Sequence, residues 1–225
     1  MPAPPLHDWN LDPEEAIALQ KRLAGDIERE DRIDPVRYIA GVDIGFEEGG
    51  EVTRAAVVVL SWPTLVPVEQ VVHREPTRMP YVPGLLSFRE IPSALAAFAL
   101  LTQRPELVMV DGQGIAHPRR LGVASHLGLW LDLPTIGVAK SRLCGMHDTV
   151  PEAKGEWTPL RHRGETIGAV LRSRLGVKPL YISLGHRLSL PTSLDWVVRC
   201  LGRTKLPEPT RLADRLASRR DEKSR

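Results

Sequence analysis

Tyr38–Phe46 reads YIAGVDIGF and Leu107–Asp111 reads LVMVD, two apolar runs of strand length that each carry one aspartate. Arg54–Ser61, RAAVVVLS, is a third such run, joined to the first by the glycine-containing segment Glu47–Glu51, which predicts a hairpin. Val66–Arg74 alternates loosely and predicts an outer strand, after which Pro76, Pro80, Pro83 and Gly84 interrupt any regular element. A Leu- and Ala-rich helix is expected over Pro92–Gln103, then the LVMVD strand, a loop over Gly112–Pro118, a helix over Leu121–Leu131 and a strand over Thr135–Ala139. Strand, helix, strand, helix, strand implies parallel pairing through crossovers, whereas the first three strands imply an antiparallel meander. The fold class is therefore α/β, with a mixed central sheet flanked by helices.

Outside this block, Asp12-Pro13-Glu14-Glu15 reads as a capped helix start, followed by the apolar stripe Ala16, Leu19, Leu23 and Ile27. Trp157–Leu184 suggests short strands broken at Arg163-Gly164 and Gly176, with no chemistry evident. Two last helices are expected, Leu194–Leu201 behind a Thr192/Asp195 capping pair and Thr210–Arg219, with residues 220–225 a frayed tail. No internal repeat or linker divides the chain, so residues 1–225 are expected to form one domain.

The 225 residues are 42% hydrophobic and 26% charged, which argues against disorder. No run approaches the roughly 18 apolar residues needed to cross a bilayer, and MPAPPLHDWNLDPEE lacks a basic-then-apolar start, so a cytoplasmic location is expected. Cys144 and Cys200 are too few and too far apart for a disulfide framework and read as free thiols. Residues 1–51 hold five Lys/Arg against thirteen Asp/Glu, a net −8; the overall +2 leaves +10 for the rest. That larger part suits either a polyanion partner or a solvated basic surface.

An ionised carboxylate in an apolar strand is disfavoured unless it is hydrogen-bonded, paired or bound to a metal. Asp43 breaks this rule, and Asp111 repeats it at the carboxyl end of a strand, where open α/β sheets bind ligands. Either residue alone fits a carboxylate satisfied by backbone amides or capping a turn. Converging from neighbouring strands, the two also fit a hard divalent cation and phosphodiester chemistry. Met79–Glu90, MPYVPGLLSFRE, holds Tyr81 between two prolines, where it either packs on the body or stands as a wedge for stacked bases.

MPYVPGLLSFRE, VMVDGQGIAHPRRLGVASHLGL and LPTIGVAKSRLCG, together with YIAGVDIGF and LPEPTRLAD, closely resemble endonuclease V. The resemblance covers most of residues 9–145 and 204–216, and residues 146–187 support it much less. It implies an RNase H-like fold and a Mg²⁺-dependent enzyme, with Mn²⁺ as a substitute, that repairs DNA at deoxyinosine. Such an enzyme hydrolyses the second phosphodiester bond 3′ to the lesion and leaves a 3′-hydroxyl and a 5′-phosphate.

The resemblance assigns Asp43, Asp111 and Glu90 to the metal, Lys140 to the scissile phosphate and Asp214 to a neighbouring position where the family carries Asp or His. Taken without it, Lys140 reads as a solvated strand end and Asp214 as an exposed helix residue. It assigns Pro80, Tyr81, Val82 and Pro83 to strand separation, and Gly84, Leu85, Gly112, Gln113, Gly114 and His117 to the lesion-base pocket; the two loop glycines alone would fit an ordinary tight turn. Arg89, Arg119 and Arg120 are candidate phosphate contacts by position and charge, or solvated surface residues. His126 reads as structural, while His186 is a candidate for reaching substrate.

The implied partner is deoxyinosine-containing DNA, single- or double-stranded, with inosine-containing RNA as a further candidate; no membrane or obligate protein partner is expected. Three rivals remain: an inosine-specific endoribonuclease on the same scaffold, a binding module without catalysis, and an actin-like ATPase or sugar kinase suggested by V-D-I-G. The last lacks further Gly-rich nucleotide loops, and the chain is short for two such lobes.

Overall fold

The computed structural model describes residues 5–218. Five helices, α1 (Pro13–Leu23), α2 (Leu86–Ala99), α3 (Val123–Leu131), α4 (Leu190–Arg199) and α5 (Glu208–Ser218), surround one sheet. Its strands are β1 (Tyr38–Glu47), β2 (Val52–Ser61), β3 (Pro67–Pro76), β4 (Leu107–Asp111), β5 (Thr135–Ala139), β6 (Trp157–His162), β7 (Glu165–Leu171) and β8 (Leu180–His186). They lie in the order β3-β2-β1-β4-β5-β8-β7-β6. As expected, β1 to β3 form the antiparallel meander, and β1, β4 and β5 run parallel. The weakly patterned segment supplies β6 to β8, which extend the sheet antiparallel from β5, and its β6–β7 turn falls at Arg163-Gly164, both at positive φ.

The unbroken apolar run of β2 has a direct cause: the strand is covered on both faces. Ala55, Val57 and Val59 pack against Ile91, Ala94 and Ala97 of α2, while Ala56, Val58 and Leu60 pack against Leu216 and Ala217 of α5. Asp12 caps α1 as expected, accepting from the Glu15 amide at 2.8 Å while the Glu15 carboxylate accepts from the Asp12 amide at 2.9 Å.

Several helix boundaries differ from the expectation, α3 by starting at Val123 instead of Leu121 and α2 by ending at Ala99 instead of Gln103. α2 starts at Leu86 and contains Pro92, which is buried, so Glu90 stands on a helix rather than in a loop. Proline removes one hydrogen bond from the helix interior, and the burial of Phe88, Ile91, Ala94 and Ala97 along the helix offsets that loss. α4 starts at Leu190, capped by Ser189. The Thr192/Asp195 pair does not form, because the Thr192 hydroxyl donates to Asp31 at 2.6 Å and Asp195 faces Arg199 one turn on. α5 starts at Glu208, with Pro209 in its first turn. Arg219 and the tail 220–225 lie outside the described residues.

Successive strand residues alternate faces, so Gly41, Asp43 and Gly45 share one face of β1. A Cβ on Gly41 would stand 1.8 Å from the Pro209 carbonyl oxygen, and one on Gly45 would stand 2.7 Å from that of Ala217. The two glycines therefore let the backbone of α5 lie directly on β1, on either side of Asp43. Arg54 of β2 fixes the far end of the helix, its Nε and Nη2 donating to the Leu216 carbonyl at 3.1 and 2.9 Å. Gly41→Ala is expected to lower stability by about 1–3 kcal/mol through overpacking, measured as a fall in the urea midpoint.

Candidate active site

Parallel pairing places the carboxyl ends of β1, β4 and β5 side by side, with Met109 opposite Gly41 and Val138 opposite Asp111. Counting along each strand puts Asp43, Asp111 and Lys140 on the face that α5 covers. α5 adds Asp214. Lys140 Nζ lies 2.6 Å from Asp111 Oδ2 and 2.5 Å from Asp214 Oδ1. Asp43, Asp111 and Asp214 each offer an oxygen within 4.8 Å of the others.

Burial, and then the charge of Asp111, pushes the Asp43 carboxyl up to about 9. Its Oδ1 also accepts from the Ile44 amide at 2.8 Å. Lys140 is pulled downward by burial, but the carboxylates of Asp111 and Asp214 outweigh this and hold its pKa above the ordinary lysine value. Glu90 approaches from α2 and lines the same cleft, outside the group of three converging carboxylates. Burial, with a smaller contribution from Asp111, raises it to about 8.

The cleft has a volume of about 490 Å³ and is lined by Asp43, Glu90, Asp111 and Lys140 together with Tyr81, Gly84, Gly112, Gln113, His117 and Ser141–Leu143. Tyr81 is 63% exposed on its rim. Pro80 and Pro83 are exposed beside it, and Val82 is half-buried. Gly112 adopts φ +148°, and a Cβ there would meet Val123 Cγ1 at 2.4 Å, so this turn requires glycine. Gln113 Nε2 donates to the Ser141 carbonyl at 2.9 Å. Gly114 is buried, its amide donating to Ser183 Oγ at 2.8 Å. Leu85 turns into the core with Phe88, Ile115 and Leu121 instead of lining the cleft.

The three arginines differ in their surroundings. Arg89 lays its guanidinium over the Phe46 ring at 3.8 Å, and its Nε has no hydrogen-bond partner. Arg119 reaches the Gly84 carbonyl at 3.1 Å. Arg120 is committed within the chain, donating to Glu165 at 2.8 Å and to the carbonyls of His117 and His162 at 2.9 and 3.1 Å. Burial lowers His117 to about 4 and keeps its ring neutral at physiological pH.

His126 is buried and structural, its Nδ1 2.8 Å from Ser87 Oγ and its Nε2 2.7 Å from His7 Nε2. His186 does not line the cleft. It is buried, and its Nδ1 accepts from the Glu28 amide at 3.2 Å, which anchors the segment after α1. Both cysteines are free thiols, Cys200 buried and Cys144 partly so.

The endonuclease V family model matches residues 21–215. The chain belongs to this family. An endonuclease V from Nostoc sp. (strain PCC 7120) is 56% identical over 215 residues, which cover 95% of this chain and 97% of that protein. The crystal structure of endonuclease V from Streptomyces avermitilis superposes with a TM-score of 0.88 at 39% identity, covering 94% of this chain and 93% of the other. A Ciona intestinalis endonuclease V, solved with a 23mer DNA containing an inosine followed by a ribo-adenosine, matches at 27% identity and a TM-score of 0.80, covering 92% and 97%. These structures bear out the RNase H-like reading and leave no place for the ATPase or sugar-kinase alternative.

As in other members of this metal-dependent nuclease family, the donor set must suit a cation. Three carboxylates share a site with one ammonium, and the carboxyl of Asp43 holds its proton far above the usual carboxylate range. All three offer hard oxygen ligands, which fits a hard divalent ion. Binding such an ion must displace protons from Asp43, and from Glu90 where it takes part.

Calorimetry in buffers of different ionisation enthalpy is expected to show on the order of one proton or more released per divalent ion at pH 7, and apparent affinity that weakens as pH falls from 9 to 6. The same shift bears on stability. The folded chain keeps a proton on Asp43 that the unfolded chain loses above about pH 4, so stability in chelator falls as pH rises from there towards 9. Glu90, raised to about 8, contributes in the same direction, so Asp43→Asn is expected to reduce this dependence without abolishing it and to stabilise the metal-free fold at pH 7 by on the order of 1 kcal/mol, read as a higher melting temperature.

Proposed function

We propose that this chain is a Mg²⁺-dependent DNA repair endonuclease that recognises deoxyinosine and hydrolyses the second phosphodiester bond on its 3′ side, leaving a 3′-hydroxyl and a 5′-phosphate. The observation that carries the reading is the convergence of Asp43, Asp111 and Asp214 around Lys140, in a cleft whose rim bears the exposed Tyr81. The nearly full-length similarity to endonucleases V supports it.

In this reading Asp43 and Asp111 hold the ion, with Glu90 and Asp214 beside them. What the ion supplies when bound is charge neutralisation at the phosphoryl oxygens and a lower pKa for the attacking water. Lys140 stands between Asp111 and Asp214, where its ammonium offsets charge developing on the scissile phosphate. Tyr81 enters the duplex and fills the space of the extruded base, at an unstacking cost of a few kcal/mol that is lowest at a damaged pair. The Gly112–His117 turn presents main-chain groups to the edge of the base. Arg89, whose guanidinium lies over the Phe46 ring, is the best placed of the three arginines for a phosphate, since Arg119 and Arg120 donate to acceptors of their own chain.

A ribonuclease reading has one observation in its favour, the ribo-adenosine that follows the inosine in the Ciona complex. An end-labelled duplex bearing one deoxyinosine, an undamaged duplex and an inosine-containing RNA, each incubated with Mg²⁺ or with chelator, separate the possibilities. A Mg²⁺-dependent nick at the second bond 3′ to deoxyinosine is the expected result. Cleavage of RNA alone would reassign the chain as a ribonuclease, and lesion binding without any cut would make it a binding module.

Asp43→Ala is expected to slow cleavage by about a thousandfold or more, several kcal/mol of transition-state stabilisation, with lesion binding retained in gel shifts. Tyr81→Ala is expected to lower the preference for inosine over undamaged DNA by about tenfold, on the scale of one lost base–aromatic stack.

A further inference from the structure

Gln20 lies on the buried face of α1 beside Leu19 and Leu23, and it is fully buried. An amide in that position needs partners at both ends. Its Nε2 donates to the Gly84 carbonyl at 2.8 Å, and its Oε1 accepts from Arg119 Nε at 2.5 Å. Two further donors meet the same Gly84 oxygen, Arg119 Nη2 at 3.1 Å and His117 Nε2 at 3.0 Å. His117 Nδ1 accepts from the Arg119 amide at 3.0 Å, which assigns the ring proton to Nε2 and makes that nitrogen a donor to Gly84.

One carbonyl is thus held from α1 and from the Gly112–Arg120 segment. Its residue occupies the turn between two functional elements. On one side lies the segment Pro80–Pro83 with the exposed Tyr81; on the other, Leu86 opens α2, which carries Glu90. Gly84 adopts φ +80°, and a Cβ there would lie 2.7 Å from Arg119 Nη2, so the clamp closes directly on the backbone.

We propose that Gln20 is a positioning residue for lesion recognition. By donating to Gly84 and accepting from Arg119, it locks the base of the Tyr81 loop against the loop that carries Gly112 and His117. The side chain entering the duplex and the pocket receiving the base then keep a fixed separation. The inference rests on the wedge and pocket roles given under Proposed function.

Two substitutions separate this role from packing. Gln20→Glu keeps an acceptor for Arg119 but removes the donor to Gly84, and Gln20→Met keeps the volume and removes both. Each is compared with the wild-type chain and Tyr81→Ala in single-turnover cleavage of inosine and undamaged duplexes. Fluorescence of a 2-aminopurine placed beside the inosine, read in chelator, reports unstacking without cleavage.

Both Gln20 variants are expected to melt cooperatively and to bind undamaged duplex as the wild type does. They are expected to lose about tenfold in the ratio of inosine to undamaged cleavage, the order of one buried hydrogen bond, with a weaker 2-aminopurine rise. A wild-type ratio in Gln20→Glu overturns the proposal, as does an equal loss on both substrates or a lower melting temperature with the ratio unchanged. If Tyr81→Ala loses selectivity and Gln20→Glu does not, only the role of Gln20 fails. If Tyr81→Ala keeps selectivity, or the wild type has none, the wedge reading fails and this inference with it.

Discussion

Three carboxylates drawn together at the ends of parallel strands are the constraint around which this molecule is organised. At an effective dielectric of about 20, two like charges about 4 Å apart repel by about 4 kcal/mol, a large share of the roughly 5–15 kcal/mol by which a domain is stable. Lys140, in contact with both Asp111 and Asp214, offsets one unit of that charge. Burial first, and the remaining charge second, favour a proton on Asp43, or a cation in its place. The same residues are thus a liability for the fold and a strong attractor for a hard ion. Opposition between stability and function is expected where a catalytic site is built into a core.

Holding the cluster together depends on close backbone approach. α5 lies on β1 because Gly41 and Gly45 lack side chains, and Arg54 ties the last turn of the helix to β2. Asp43, Asp111 and Lys140 come from strands whose register is fixed by hydrogen bonding, so α5 is the element whose docking decides whether the third carboxylate arrives. The apolar packing of Leu216 and Ala217 on Ala56, Val58 and Leu60 supplies the driving force, and the glycines set how near it can act.

Much of this was legible in the chain itself. Apolar runs of strand length and their order gave the meander and the parallel core, and a carboxylate inside YIAGVDIGF or closing LVMVD stands out because burial of charge is costly. Other features were not legible from local pattern. Asp214 looks like an exposed helix residue until α5 is placed on β1, a contact between residues far apart in sequence. Glu90 precedes the helix expected from Pro92 onward, since proline marks a helix boundary in the local pattern, whereas burial along α2 outweighs the lost hydrogen bond and extends the helix back to Leu86. Arg120, a candidate phosphate contact by charge, instead donates to Glu165 and to two carbonyls of its own chain. Gln20 carries a signal of a different kind: a primary amide on the apolar face of an amphipathic helix requires buried partners.

The loop that bears Tyr81 combines an exposed tip with a fixed base. An aromatic side chain left in water gains by folding back onto apolar surface, and a flexible loop would permit it. Pro80 and Pro83 restrict the backbone on either side of Tyr81, and the hydrogen bonds that meet at the Gly84 carbonyl fix the point where the loop rejoins the body. Unstacking a base costs a few kcal/mol, so the side chain that replaces it must not also have to be ordered on binding. Rigidity established during folding reduces that second cost. Helix α1, which puts no residue into the cleft, takes part in this arrangement through Gln20: its buried face supplies one of the hydrogen bonds that hold the base of the Tyr81 loop.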